Sequence, residues 1–472
     1  MNPPRHPVGV VDLGALNLEL AASTSGSDAS EGDPHRLAGR LFYPCVRQWT
    51  WACTWIPHAN YARGYVGESQ EGRYLFKMVP KGQQATLKNM AAKAVLTSIA
   101  WVLGASKVLP VYYRAPLSSP EALPLIIFSH GIAGTRNAYS SICTELASQG
   151  YVVMALEHGD GSASAARLPK LAPTPPPQRP APAPESGAGA QADSEPSSSG
   201  SSAASAPGGG ATAAADGDGS RQGAGGKGAG GFEFCFYGGF GDKAEQLRKT
   251  RYRVTEGVLE LPAAVAASLK GKIDLSRAAV IGHSYGGATA AAAAAQLPCF
   301  RAAVSLDPWW DCFDDQWPVL NRWANPAPLL VIGSDDWNTP NAEGKLKCGG
   351  VNQERVLAAA AGGGGGAVLV VPSGSTHGSF DDVLLFFGRA LTPMARLFNI
   401  RSSLEPRLAL SINTWCISHF LGKHMPPRAC TAAAAPEAAA LLPAVRESDM
   451  DAYKEKLGDK AAILRVCAGV RA

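Results

Sequence analysis

The chain lacks any run approaching the about 18 consecutive apolar residues that a membrane-spanning helix needs. Charge is scarce as well: 17% of residues are charged and the formal net charge is +4. With no Lys/Arg run and no basic-aromatic face, that balance excludes a nucleic-acid binder. The opening Met1-Asn2-Pro3-Pro4-Arg5-His6-Pro7 has no apolar signal-peptide core, and Asp12 and Glu19 do not suit a transit peptide. Position 2 is not glycine and the chain ends Gly-Val-Arg-Ala, so neither myristoylation nor prenylation is expected. A cytoplasmic protein is expected. The ten cysteines show neither CxxC nor a framework spacing, and are expected as reduced, mostly buried thiols. No His/Cys/Asp/Glu cluster has metal-ligand spacing, so neither a metal nor an organic cofactor is expected. No feature of the chain points to a protein partner.

What the chain has in excess is small residues. Residues 167–231 are almost wholly Pro, Ala, Gly and Ser with no aromatic residue. Such a stretch cannot bury enough apolar surface to offset its ordering entropy, so it is expected as a disordered insertion. The flanking parts, 1–166 and 232–430, are expected to form a single domain, with 431–472 as a variable C-terminal tail. Hydrophobic residues make up 46% of the chain, enough for a large core.

Within the ordered parts, short apolar runs alternate with helical patterns. Buried strands are expected at 125–128, 151–156, 278–282, 302–306, 329–332 and 367–371. Helices are expected at 137–149, 242–270, 288–297 and 408–421. That alternation implies a mostly parallel central sheet flanked by helices, an α/β fold whose site lies at the carboxyl ends of the strands.

One motif sits at such an end. Gly282-His283-Ser284-Tyr285-Gly286-Gly287 joins the strand expected at 278–282 to the following helix. A nucleophilic serine on a tight strand-to-helix turn needs glycines two residues either side, because larger side chains would clash. The bare GxSxG pattern is weak in a chain with 52 glycines; its place at a strand–helix junction gives it weight. A serine hydroxyl needs a base, and the base needs an acid to fix its tautomer. Three histidines follow Ser284. His419 and His424 fall in or beyond a helix, whereas His377 lies in a Ser-Gly-Ser-Thr-His-Gly loop directly after the last parallel strand, where the base belongs. For the acid, Asp307 and Asp335 both follow strands, and spacing alone slightly favours Asp335. The oxyanion donors are expected to be the backbone amides of Tyr285, next to the serine, and Ile132, in the loop His130-Gly131-Ile132-Ala133-Gly134. His130 precedes the serine and is read as ordering that loop.

These blocks resemble the platelet-activating factor acetylhydrolases of the plasma and intracellular type-II kind. The likeness is carried by Phe128-Ser129-His130-Gly131, Glu157-His158-Gly159-Asp160-Gly161-Ser162-Ala163-Ser164, the Ser284 block, Leu306-Asp307-Pro308-Trp309 and Gly374-Ser375-Thr376-His377-Gly378-Ser379-Phe380-Asp381. Weaker agreement lies at Leu41-Phe42-Tyr43-Pro44 and Trp55-Ile56-Pro57. The resemblance implies the α/β-hydrolase fold, moves the acid to Asp307, and matches Ile132 and Tyr285 to the oxyanion positions. Where the family usually has basic residues this chain has Gly159 and Gly161, and Tyr285 replaces a more usual Phe.

The function so implied is a 1-alkyl-2-acetylglycerophosphocholine esterase. It would cleave short or oxidised sn-2 acyl esters of phospholipids through a Ser284-Asp307-His377 triad and an acyl-enzyme. A general short-chain carboxylesterase or lipase, an acyltransferase to lysophospholipids, and a non-catalytic lipid-binding relative are the alternatives. The apolar stretches at 90–103 and 384–398, edged by lysines and arginines, look like the family's interfacial helices and imply peripheral contact with a membrane surface.

Overall fold

The computed structural model describes residues 6–12, 38–66, 90–169, 232–238, 242–255, 271–315, 317–347, 350–386, 404–427 and 445–469. Residues 1–169 with 232–472 form one compact unit and 170–231 another. The second lies wholly outside the described residues, as does most of the expected disordered insertion.

The strands are β1 (Val8–Asp12), β2 (Ala38–Pro44), β3 (Tyr112–Tyr113), β4 (Leu123–Ser129), β5 (Val152–Glu157), β6 (Ala165–Pro169), β7 (Phe232–Phe236), β8 (Ile273–His283), β9 (Phe300–Leu306), β10 (Leu329–Ile332), β11 (Ala367–Pro372) and β12 (Ala461–Cys467). Ten of them form one sheet in the order β12-β11-β10-β9-β8-β4-β5-β2-β1-β3, while β6 and β7 pair separately. From β5 through β4, β8, β9 and β10 to β11 every neighbour is parallel. Strand β2 runs antiparallel to both β1 and β5. This order, with its antiparallel second strand, is that of the α/β-hydrolase fold.

The parallel strands read as continuous apolar runs because both faces are covered. Alternate residues divide between two cores. Leu125, Ile127, Val280, Ala303, Val331 and Leu369 face one, with the helix Tyr285–Gln296 among its members. Ile126, Phe128, Ile281, Val304, Ile332 and Val370 face the other, with residues of the helices Ser140–Ser148 and Pro406–His424. The first of these helices is unusual in composition: from Ala290 to Ala295 it is alanine alone, all buried. Alanine has the best helix propensity and the smallest side chain that supports it, so the helix can press close to β8 and β9. A larger residue there would overpack, costing about 1–3 kcal/mol.

The six expected parallel strands appear within a few residues of their expected bounds. Two boundaries differ. Arg167, Leu168 and Pro169 belong to β6 rather than to the insertion, because each pairs with a residue of β7. The chain after residue 430 is not wholly a tail. The helix Asp449–Leu457 packs Tyr453 and Leu457 into the core, and β12 adds antiparallel to β11 as an edge strand. Its half-exposed Ala461-Ala462-Ile463-Leu464-Arg465-Val466-Cys467 has no clean two-residue alternation, which hides it in the sequence. Of the two expected interfacial stretches, the first is the helix Met90–Ala105, and only 384–386 of the second lie among the described residues. Among the described residues no helix is long and apolar enough to cross a membrane.

Pro169 and Phe232 are register partners at the open end of the β6–β7 hairpin. Removing residues 170–231 and joining the two by Asn-Gly, the pair that suits a two-residue hairpin turn, should therefore preserve the fold. About five halvings of loop length, at about 0.6 kcal/mol each, bound the gain at about 3 kcal/mol. Urea unfolding should show equal or higher stability; a loss above about 2 kcal/mol would mean that the excised residues contribute packing.

Candidate active site

Ser284 stands between β8 and the helix Tyr285–Gln296 with φ 58° and ψ −119°. A non-glycine residue pays about 1–3 kcal/mol for such a backbone, so the surroundings must hold it there. They do so by contact. A Cβ at Gly282 would lie 2.0 Å from the Gly286 carbonyl oxygen, and one at Gly286 only 2.1 Å from that of Ser129. Two backbone bonds tie the turn to the chain after β9: Ser284 N donates to Leu306 O at 2.9 Å, and Trp309 N donates to Ser284 O at 3.0 Å.

Asp307 lies between those two anchors, itself at φ 38°. Its carboxylate accepts from Ser334 N at 2.7 Å, Ser334 Oγ at 2.8 Å and His377 Nδ1 at 2.6 Å. Asp307 is almost fully buried, while His377 keeps 31% of its side chain exposed, so the carboxylate is enclosed and the imidazole is open to a ligand. The His377 ring lies 4.5 Å from that of His283, the residue before Ser284. The structure thus brings Asp307 and His377 together beside Ser284. Asp335, favoured by spacing, does something else: its carboxylate accepts from Gly374 N at 2.8 Å and steadies the loop that carries His377.

The loop after β4 closes over the serine. A Cβ at Gly131 would fall 2.9 Å from that of Ser284. Gly134 N bonds Gly131 O at 3.1 Å, and Ala133 has φ 55°, the positive third-residue φ of a type II turn. Ile132 is the half-buried second residue of that turn. Tyr285 opens the helix, where N–H groups have no carbonyl to bond within the helix itself. Its ring is buried and its hydroxyl bonds Thr250 Oγ1 at 2.8 Å.

Three further histidines lie beneath the site, all buried and neutral. His130 Nδ1 donates to Gly131 O at 2.7 Å while Nε2 accepts from His158 N at 3.2 Å, which fixes its tautomer. Burial, and after it the charge of Arg253, push its pKa down to about 3. Burial and Arg253 likewise push His158 well below the ordinary range, and its Nε2 bonds Ser129 Oγ at 2.8 Å. Burial and then the neighbouring His377 do the same to His283, whose Nδ1 bonds the Tyr139 hydroxyl at 2.8 Å.

Residue-by-residue reading of the sequence overlooked Ser334, Trp337 and Arg253. Trp337 stacks flat on the His377 ring, 3.9 Å between centroids and 12° between planes. No local motif marks these residues, since each reaches the site from another element. Lys249, on the helix Lys243–Thr255, brings Nζ to 3.9 Å from where a Cβ of Gly161 would stand. Among the described residues no three His, Cys, Asp or Glu side chains are grouped to hold a metal.

A family model described as platelet-activating factor acetylhydrolase, isoform II, matches residues 28–179 and 252–428. The chain belongs to that family. Platelet-activating factor acetylhydrolase of Cavia porcellus is 26% identical over 394 residues, spanning 82% of this chain and 72% of that protein. The Bos taurus protein of the same name is 27% identical over 402 residues, spanning 82% and 71%. A solved ferulic acid esterase from Streptomyces cinnamoneus aligns over 89% of each chain, with 18% identity and a TM-score of 0.45. As a member of the acetylhydrolase family, this chain is a carboxylic ester hydrolase.

The neutral histidines set an acid limit. Their folded pKa values lie below the unfolded 6.5, so the unfolded chain binds more protons below that pH and stability falls as pH falls. Each contributes at most about 1.4 kcal/mol per pH unit, about 4 for all three. Urea unfolding between pH 6.5 and 4.5 should show a steep loss, and His158→Gln should flatten it by up to one histidine's share. Parallel slopes for the two proteins would mean that His158 titrates in the folded state.

Proposed function

We propose that the chain hydrolyses short or oxidatively truncated sn-2 acyl esters of phospholipids, as a 1-alkyl-2-acetylglycerophosphocholine esterase working in the cytoplasm. The observation that carries this reading is the 2.6 Å bond between His377 and Asp307, from residues 70 apart, beside the strained turn of Ser284. With the Nδ1 proton directed to the carboxylate, Nε2 of His377 is the nitrogen left to accept the serine proton. Ser284 Oγ attacks the acyl carbonyl as His377 takes its proton. The carbonyl oxygen becomes an anion held by the amides of Ile132 and Tyr285. Collapse expels the lysophospholipid alkoxide, which takes the proton from His377. Water, deprotonated by His377, then attacks the acyl-enzyme and releases the short acid and Ser284.

The surface supports access from a membrane. On the helix Met90–Ala105, Ile99, Trp101 and Val102 are exposed, and the loop after β2 exposes Trp49 and Trp51. Tryptophan and aliphatic side chains of this kind partition to the headgroup boundary, where a lipid ester would be presented.

Ser284→Ala should abolish esterase activity and labelling by a fluorophosphonate with the fold intact. Labelling at another serine would overturn the nucleophile. Asp307→Asn should lower kcat by about 10³- to 10⁴-fold, because the wrong tautomer is then favoured. Asp335→Asn should cost less than about fivefold, since the amide oxygen still accepts from Gly374 N. The opposite ranking would move the acid to Asp335.

On phospholipids differing only at sn-2, acetyl and truncated chains should react far faster than chains of sixteen carbons. Choline and ethanolamine headgroups should differ by less than about tenfold, given glycine at 159 and 161. Long chains reacting equally well would favour a general lipase. Acyl transfer dominating when lysophospholipid is added would favour the acyltransferase.

A further inference from the structure

Beneath the expected oxyanion donors lies one fully buried cation, Arg253 of the helix Lys243–Thr255. Its Nε donates to Asp160 Oδ2 at 2.8 Å, Nη1 donates to His130 O at 2.9 Å, and Nη2 donates to Ser162 Oγ. The guanidinium carbon stands 4.2 Å from the centroid of the Tyr285 ring. One side chain therefore touches three segments: the loop after β4, the loop after β5 and the turn of Ser284.

These contacts bracket Ile132 on both sides. The peptide joining His130 to Gly131 is planar, and it is held at both edges: its oxygen by Arg253, its N–H by the Tyr139 hydroxyl at 3.3 Å. On the far side, Ala133 N donates to Ser162 O at 2.7 Å, and the Ser162 hydroxyl is held by Arg253. On the other donor, the guanidinium packs against the ring of Tyr285 while Thr250 holds its hydroxyl. Burying a cation and its Asp160 partner costs several kcal/mol of desolvation. A neutral side chain could tie loops together at less cost; a planar fork serving four groups at fixed angles is what guanidinium offers and lysine does not.

We propose that Arg253 is a positioning residue for the oxyanion hole, fixing the His130–Gly131 peptide, Ser162 and the Tyr285 ring so that the amides of Ile132 and Tyr285 converge on the acyl oxygen. The inference rests on the reading of Ser284 and His377 given above, and deepens it by naming what aims the two amides. Through the His130 carbonyl and the Tyr285 ring, the charge also lies behind both donors, where it favours the developing anion.

The test is Arg253→Lys in the full chain, which keeps the charge and removes the fork. With p-nitrophenyl acetate, kcat should fall by at least about 30-fold while KM stays within about threefold. Affinity for a short-chain trifluoromethyl ketone should fall in parallel with kcat/KM. This probe adds Ser284 Oγ to its carbonyl, passes the serine proton to His377 and leaves the former carbonyl oxygen as an anion in the hole. The shape of the pH–rate profile should not change, because His377 and Asp307 are untouched. A preserved kcat, or a lowered kcat with undiminished ketone affinity, would overturn the proposal. Should Arg253→Lys fail to fold, Ser162→Ala removes one prong alone, and parallel losses of about 3- to 10-fold are expected. Unchanged kcat and ketone affinity in that variant would overturn it equally. Ser284→Ala separates the two levels: activity persisting there would sink the nucleophile, whatever Arg253 does.

Discussion

The site depends on one constraint, the backbone of Ser284 held at a φ of 58°. Nothing in a serine favours that conformation. It persists because the turn is clamped between Gly282, Gly286 and the carbonyl of Ser129, where no side chain could fit, and because Leu306 and Trp309 bond its two peptide groups. The same two bonds carry the chain of β9 past the serine and set down Asp307 within reach of His377. Asp307 and Ser284 are consequently not two placements but one, and a distortion of the turn would be felt by both.

Strain is concentrated accordingly. Four described residues other than glycine have positive φ: Arg114, Ala133, Ser284 and Asp307. The last three lie in the Gly131–Gly134 turn, at the strand-to-helix turn after β8 and directly after β9. At about 1–3 kcal/mol each, their sum is comparable with the about 5–15 kcal/mol net stability of a typical domain. The sheet can sustain it because its parallel strands are covered on both faces and the alanine helix packs at minimal distance behind the turn.

Much of this was legible in the sequence. Runs such as Leu125-Ile126-Ile127-Phe128, introduced by Pro124 and closed by His130-Gly131, read as doubly covered strands, and a GxSxG at the end of one fixes the serine's surroundings. His377 was legible for the same reason, following the last parallel strand. The carboxylate beside His377 was not legible from spacing: Asp307 and Asp335 both end strands, the family resemblance alone pointed to Asp307, and the hydrogen bonds around Ser334 and Gly374 distinguish the partner of His377 from a brace for its loop. Arg253 and Trp337 were invisible because their contacts are tertiary; each reaches the site across a gap in the chain that no spacing rule spans. Strand β12 was missed because an edge strand half-open to solvent need not alternate.

The β6–β7 hairpin has a consequence in mechanics. Its root is sewn to the Gly131–Gly134 turn and the loop after β5: Ala133 N bonds Ser162 O, Ser164 N bonds Gly134 O, Tyr237 N bonds Ser164 O and Gly238 N bonds Gly161 O. The 62 residues of the sequence between Pro169 and Phe232 are joined to this stem at both ends. Any tension between those two ends acts across the β6–β7 ladder, opening it one pair at a time, before it reaches the turn that carries Ile132.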